Sequence, residues 1–300
     1  MHENHSRAKA FAALAAAGCL WGTGFLFGKW ALLELTVGQL VLYRFAFAAL
    51  GFAPAVWSAS LRPETRIARR DWSVILAAAV LGVPIQFLIQ FAGLARTTVT
   101  HASLMIGVLP VILAAGSSLF AHEQVKARRW LALVASTIGA GLIAFGASAG
   151  EAGSRATFGG DLLVAASLIG GVAWILLCQR LMNTGRYSPI NVSAYVMTVG
   201  AAMLAIWVIG SEGLPPIHLS GLTWISVAAS GLVATTATTY LWNWGILRIP
   251  ASQAGVFLNL EPVVGALLGV ALLRDVLGPY ALAGGALVIG AAVFVALDGA

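Results

Sequence analysis

Charge is scarce in this chain: Asp, Glu, Lys and Arg together make up 9% of its 300 residues, against 60% hydrophobic residues. With so little polar surface to face water the chain cannot fold as a soluble globule, and lipid has to be its solvent. Only two cysteines are present, Cys19 and Cys178, each inside an apolar stretch. That excludes a disulfide scaffold or a cysteine-built metal centre and leaves them a packing role. The net charge of +6 comes from short basic runs between apolar stretches, without the interleaved aromatics of a nucleic-acid surface, so no nucleic-acid partner is expected. His122 and Glu123 adjoin, but no second histidine follows at metalloprotease spacing, and His101 is the one mid-span histidine. Neither a catalytic constellation nor a cofactor is expected. The first apolar run, from Ala10 to about Leu33, has no small-residue cleavage site after a short core and is expected to stay as a membrane helix.

What the chain has in abundance is apolar length. A hydrocarbon core of roughly 30 Å takes about 20 residues of helix, and ten stretches qualify: 10–33, 36–58, 73–95, 98–121, 130–148, 159–181, 189–210, 221–247, 251–273 and 279–297. They are called spans 1 to 10 below. With a cytoplasmic amino terminus, twelve of the 17 basic residues fall on the cytoplasmic side and three, Arg96, Arg155 and Arg274, on the other. This asymmetry places both termini in the cytoplasm.

The spans also repeat. At a shift of 152 residues, Arg96, Ala102, Pro110, Val111 and Ala114 coincide with Arg248, Ala254, Pro262, Val263 and Ala266, and Tyr43, Trp72 and Gly93 coincide with Tyr195, Trp224 and Gly245. A repeat of five spans is odd-numbered, so the second copy is expected upside down relative to the first. Residues 1–150 and 151–300 then form two inverted five-helix halves, an architecture many secondary transporters share. Trp57, Trp72, Trp130, Trp207 and Trp224 cluster near span ends and read as an interfacial belt. Ser136 with Ala140, and Ala281 with Gly285, are small residues four apart that suit close packing of spans 5 and 10.

Polar and helix-weakening residues concentrate at span centres. Pro84, Pro110 and Pro262 each remove a helical hydrogen bond, so spans 3, 4 and 9 are expected to kink, either as structure or as hinges. Gln86 and Gln90, one turn apart in span 3, and Asn259 in span 9 carry amides that lipid cannot satisfy. Thr235, Thr236, Thr238 and Thr239 in span 8 either line the middle or bond back to their own helix. Trp21 and Trp174 hold nearly matching places in spans 1 and 6, while Tyr240, Trp242 and Trp244 belong to the inner part of span 8. Such a wall suits a ligand with an apolar body and polar handles, although core packing explains any single one. Among charges, Lys29 is about 6 Å from its span end and within snorkelling reach. Arg44 is about 12 Å in, either an anchor or a ligand for a carboxylate, and Glu261 is deepest. Glu261 is a functional candidate or, in the plainer reading, a packing element bonded to Arg44 or to backbone freed by Pro262.

Trp21, Gly22 and Lys29, then Arg44, then the run Glu261, Pro262, Val263, Val264, Gly265, Ala266 and Leu267 together resemble the EamA-type members of the drug/metabolite transporter superfamily. The likeness covers nearly the whole chain and is greatest to the YddG branch of amino-acid exporters. It implies ten helices in two inverted five-helix repeats in the cell (inner) membrane, with a path between spans 1, 3, 4, 6, 8 and 9. The chain departs from the pattern where Leu109, not an acid, precedes Pro110, and where Asp275 stands for the usual glutamate after span 9. The expectation is an exporter of small metabolites, amino acids including aromatic or apolar ones foremost, working by alternating access. The substrate contacts expected are Trp21, Gln86, Gln90, His101, Trp174, Tyr240, Trp242, Asn259 and Glu261; Lys29 and Arg44 serve as charge partners and Pro84, Pro110 and Pro262 as hinges. Efflux of lipophilic cations is the alternative, and a membrane enzyme or channel the distant one. The partners expected are a small-molecule substrate and the bilayer, with a monomer favoured and no metal.

Overall fold

The computed structural model of the chain describes residues 2–61, 66–109, 112, 127–148, 156–248 and 255–298. The elements are α1 (His2–Gly22), α2 (Gly24–Ala31), α3 (Val37–Leu61), α4 (Trp72–Val80), α5 (Gln86–Arg96), α6 (Val99–Ile106), α7 (Ala127–Ser148), α8 (Phe158–Met182), α9 (Pro189–Glu212), α10 (Gly221–Gly231), α11 (Thr238–Ile246), α12 (Leu260–Leu273) and α13 (Pro279–Asp298). Among the described residues six helical stretches are long and apolar enough to cross a bilayer: Ala8–Ala31, Val37–Leu61, Arg69–Arg96, Phe158–Met182, Pro189–Glu212 and Gly221–Ile246. These are spans 1, 2, 3, 6, 7 and 8. Shorter apolar helices, Trp130–Ile143, Phe257–Leu273 and Pro279–Ala291, stand at spans 5, 9 and 10. Much of span 4, Pro110 included, lies outside the described residues, so six long spans stand where ten were expected.

Several spans are continuous in direction but irregular in winding. Between α4 and α5, Leu81–Ile85 takes π-helical form around Pro84, since a proline without an N–H fits a widened turn better than a regular one. Leu232–Ala237, between α10 and α11, does the same, and at the 152-residue shift Leu81–Ile85 falls on 233–237. Span 8 has no proline there; its threonines make the difference. Thr235 Oγ1 donates to Ser230 O at 2.9 Å, five residues back, and Thr238 and Thr239 Oγ1 both donate to Thr235 O at 2.8 and 2.6 Å. The run thus bonds back to its own helix, as one reading allowed, while Thr236 Oγ1 reaches across to Ala48 O on α3 at 3.2 Å. In span 9 a 3-10 segment, Gly255–Asn259, precedes α12. Pro262 therefore sits in the first turn of α12, where its missing N–H costs nothing, and the irregularity lies before it rather than at it. Span 1 is interrupted at Thr23, between α1 and α2, with no proline involved.

Packing follows the repeat. Span 1 lies along span 8 and span 6 along span 3; spans 2 and 7, 4 and 9, and 5 and 10 pack as pairs. Under exchange of the two halves, the 1–8 pair becomes the 6–3 pair and each other pair maps onto itself. The aromatic contacts are reciprocal in the same sense. Tyr43 meets Trp224 edge to face at 5.2 Å, and its counterpart Tyr195 meets Trp72, the counterpart of Trp224, edge to face at 6.1 Å. Trp72 and Trp224 are thus half-buried and each has a tyrosine packing partner, whereas Trp57, Trp130 and Trp207 stay exposed on the outer surface of the bundle. Gly93 and Gly245 likewise mark matched close approaches, of span 3 to Val164 on span 6 and of span 8 to Leu14 on span 1. The main core between these pairs is built from Phe25, Phe45, Phe52, Phe91, Leu168 and Leu204.

Loop ties repeat too. Glu34, in the turn after α2, accepts from Ser220 N at 2.9 Å at the start of α10. The equivalent backbone N–H, at Ala68, donates to Tyr187 Oη at 3.0 Å, and that hydroxyl donates to Asp71 at 2.6 Å. Hydrogen bonding by Ser220 holds the Glu34 carboxyl below its ordinary value.

Candidate functional site

The break of span 1 at Thr23 is where the chemically informative residues meet. Thr23 Oγ1 turns back to Leu20 O at 2.6 Å, so its hydroxyl is spent within the helix. On one side of the break α12 crosses so closely that a Cβ on Gly22 would lie 2.8 Å from Glu261 O and 2.9 Å from Val264 Cβ. Only glycine permits that approach. On the other side, a Cβ on Gly24 would lie 3.5 Å from Arg44 Nη1. Trp21, one residue before Gly22, packs against Trp242 of α11 with ring centroids 5.3 Å apart. Two indoles, the Arg44 guanidinium and the backbone of Glu261 thus meet around one turn of span 1.

Arg44 is buried at 6% exposure. Its Nε donates to Thr235 Oγ1 at 3.0 Å, and its guanidinium carbon lies 4.8 Å from the Phe87 ring centroid and 5.4 Å from that of Phe91. Stacking of a planar cation on aromatic faces replaces part of its lost hydration. Glu261 is half-buried and within electrostatic reach of Arg44. It makes no ion pair within 4.0 Å and no hydrogen bond among the described residues.

Other expected site residues lie elsewhere. Trp174 covers the π segment of span 3, its ring 2.5 Å from where a Gly82 Cβ would stand, and so packs between spans 3 and 6 instead of joining Trp21 and Trp242. Gln86 is pressed against Gly171 of span 6, with its Oε1 buried and unpartnered among the described residues; Gln90, one turn on, is buried as well. Tyr240 stacks on Phe52 at 5.7 Å and is partly exposed. Asn259 closes the 3-10 segment of span 9, its side-chain amide buried and unpartnered among the described residues. Pro84 lies in its π segment and Pro262 in the first turn of α12.

His101 belongs to a separate cluster. It is fully buried near the start of α6, and its Nδ1 pairs with Asp161 Oδ2 at 2.8 Å. The other oxygen of Asp161 accepts from Thr97 Oγ1, and Thr157 Oγ1 donates to Arg96 O at 2.6 Å. Asp161, which composition and position did not single out, therefore staples the end of α5 and the start of α6 to α8. Lys29 joins the same region: its Nζ donates to Leu94 O and Thr97 O at 2.8 and 2.6 Å. There it meets the carbonyls left open at the end of α5, where a cation is favoured. Phe87, Phe91 and Gly24 were also missed; the i, i+4 spacing of the two phenylalanines on span 3 was the available signal.

The family model described as the EamA-like transporter family matches the chain twice, over residues 8–145 and 158–297. The chain is similar to the uncharacterized transporter YetK of Bacillus subtilis, 23% identical over 89% of this chain and 80% of that protein. It is also similar to a probable terminal-alkyne amino-acid exporter of Streptantibioticus cattleyicolor, 26% identical over 93% of this chain and 90% of that one, and to a biotin transporter of Salmonella typhimurium, 23% identical over 84% and 81%. A solved crystal structure shares the fold with a TM-score of 0.66 at 20% identity, over 97% of both chains. The three named relatives are transporters, not enzymes, and the chain belongs to the EamA-like transporter family of the drug/metabolite transporter superfamily.

Proposed function

We propose that this chain is a secondary transporter that exports small metabolites, foremost amino acids with aromatic or apolar side chains, by alternating access around a central site. The observation that carries the reading is the amphipathic setting of the Thr23 break, where the Trp21–Trp242 pair and the half-buried Glu261 flank one turn of span 1. An apolar body with a polar head matches that surface. The amino-acid exporter among the relatives supports the same cargo class. In this reading, residues 1–150 and 151–300 are inverted halves of ten helices in all, working as a monomer. Pro84, Pro110 and Pro262 mark the flexible joints, and both termini face the cytoplasm in the inner membrane. The reciprocal Tyr43–Trp224 and Tyr195–Trp72 contacts are what two exchangeable halves produce, and the twelve-to-three basic asymmetry supports the orientation.

Purified protein in liposomes loaded with labelled leucine, phenylalanine and tryptophan, with and without a pH gradient, tests the cargo. Saturable efflux of at least one is expected, and no efflux of any would overturn the assignment. Labelling of single cysteines at positions 96 and 248 tests the inversion, since the two must react from opposite sides. Efflux of lipophilic cations is the second reading, favoured by the lack of an ion pair at Glu261 among the described residues. Glu261→Gln then abolishes cation efflux and spares neutral cargo.

A further inference from the structure

Arg44 and Glu261 are opposite charges that make no direct ion pair among the described residues. Holding such charges in a bundle within lipid is costly unless each finds a partner. Thr235 holds Arg44 Nε at 3.0 Å and is itself fixed by its 2.9 Å bond to Ser230 O inside the π segment. Phe87 and Phe91 take the guanidinium by the face. Nη1 and Nη2 make no hydrogen bond among the described residues and lie beside Gly24, where a Cβ would stand 3.5 and 3.7 Å from them. On the other flank of the same turn the backbone of Glu261 crosses beside Gly22, and the Glu261 carboxylate is without a hydrogen bond or ion pair among the described residues.

A rigid two-nitrogen edge fits a carboxylate in bidentate fashion, and a lone carboxylate fits an ammonium. We propose that Arg44 and Glu261 form a clamp for a zwitterion, the guanidinium receiving the α-carboxylate and Glu261 the α-ammonium of an amino acid whose side chain lies toward Trp21 and Trp242. The clamp rests on the amino-acid reading above and adds to it a rule of recognition: both charges must be present, on one small molecule. Because Arg44 is already locked, little ordering is left to be done on binding.

Competition against labelled leucine in proteoliposomes tests it, with leucinamide as the cation-only probe and 2-hydroxyisocaproate as the anion-only probe. In the unaltered protein each probe is expected to compete roughly tenfold or more weakly than leucine, because each leaves one buried charge unmatched. Arg44→Gln should erase the preference over leucinamide alone, with Arg44→Lys restoring part of it. Glu261→Gln should erase the preference over 2-hydroxyisocaproate alone. If either probe competes as well as leucine in the unaltered protein, the clamp is refuted without need of any variant that folds. Preferences retained by both Gln variants refute it too. Leucine flux that either probe inhibits as well as leucine itself removes the clamp and leaves amino-acid export standing, whereas no flux of any amino acid removes both.

Discussion

Replacing Asp161 by Ala is expected to destabilise the bundle and leave cargo recognition alone. The carboxylate is fully buried and serves two donors, His101 Nδ1 at 2.8 Å and the Thr97 hydroxyl. Each buried donor left without an acceptor costs about 1–3 kcal/mol, so the two together cost about 2–6 kcal/mol. For a chain of this size that corresponds to a fall of roughly 4–12 °C in apparent unfolding temperature. The assay is thermal unfolding of the detergent-solubilised protein, followed by tryptophan fluorescence, alongside the KM for efflux. A cycle adding His101→Ala is expected to show about 0.5–3 kcal/mol of coupling, because removing both partners leaves fewer orphaned groups than removing Asp161 alone. A fall below about 1 °C with KM raised tenfold would refute the reasoning. It would return His101 to the cargo site, where its residue type first suggested it.

Gly22→Leu is expected to overpack the crossing of spans 1 and 9, where even a Cβ would stand 2.8 Å from Glu261 O and 3.0 Å from Gly265 N. The cost is about 1–3 kcal/mol or more, read as lost flux and lower unfolding temperature; Gly159→Leu, with nothing within 4 Å of the added Cβ, should change neither. For Glu34, hydrogen bonding by Ser220 lowers the folded carboxyl from its usual 4.5. Its contribution is therefore complete above pH 4.5 and lost as pH falls through the lowered folded value. The unfolding temperatures of the unaltered protein and Glu34→Ala should differ at pH 7 and converge below that value; a gap that persists in strong acid would contradict the assignment.

Repeat and membrane character were legible in the sequence because both are patterns of residue type along the chain. Tyr43, Trp72, Tyr195 and Trp224 could be matched by spacing, although their mutual pairing could not, since Trp72 and Trp224 near span ends read equally well as interfacial anchors. Pro84 announced the irregular turn of span 3. Its counterpart in span 8 was hidden because Thr235 widens the helix through a hydroxyl bond to Ser230 O rather than through a missing N–H. The partners of Lys29, the carbonyls of Leu94 and Thr97, were not legible because they belong to another span. For the same reason nothing local in Arg44 told of Phe87, Phe91 and Thr235 closing around it, and a first-turn acid such as Asp161 looks like an ordinary helix-end charge. What escaped were contacts between helices, which depend on the angles and rotations of the bundle.

The matched ties at Ser220 and Ala68 bear on how the resting poise of such a machine is set. Two ties made of the same backbone group on the same acceptor would hold equally well. Here one N–H is received by a carboxylate and its twin by a phenol. On the proposed exchange of halves, that chemical difference makes the two ends unequal, so substitution of Glu34 or of Tyr187 shifts their balance in opposite directions.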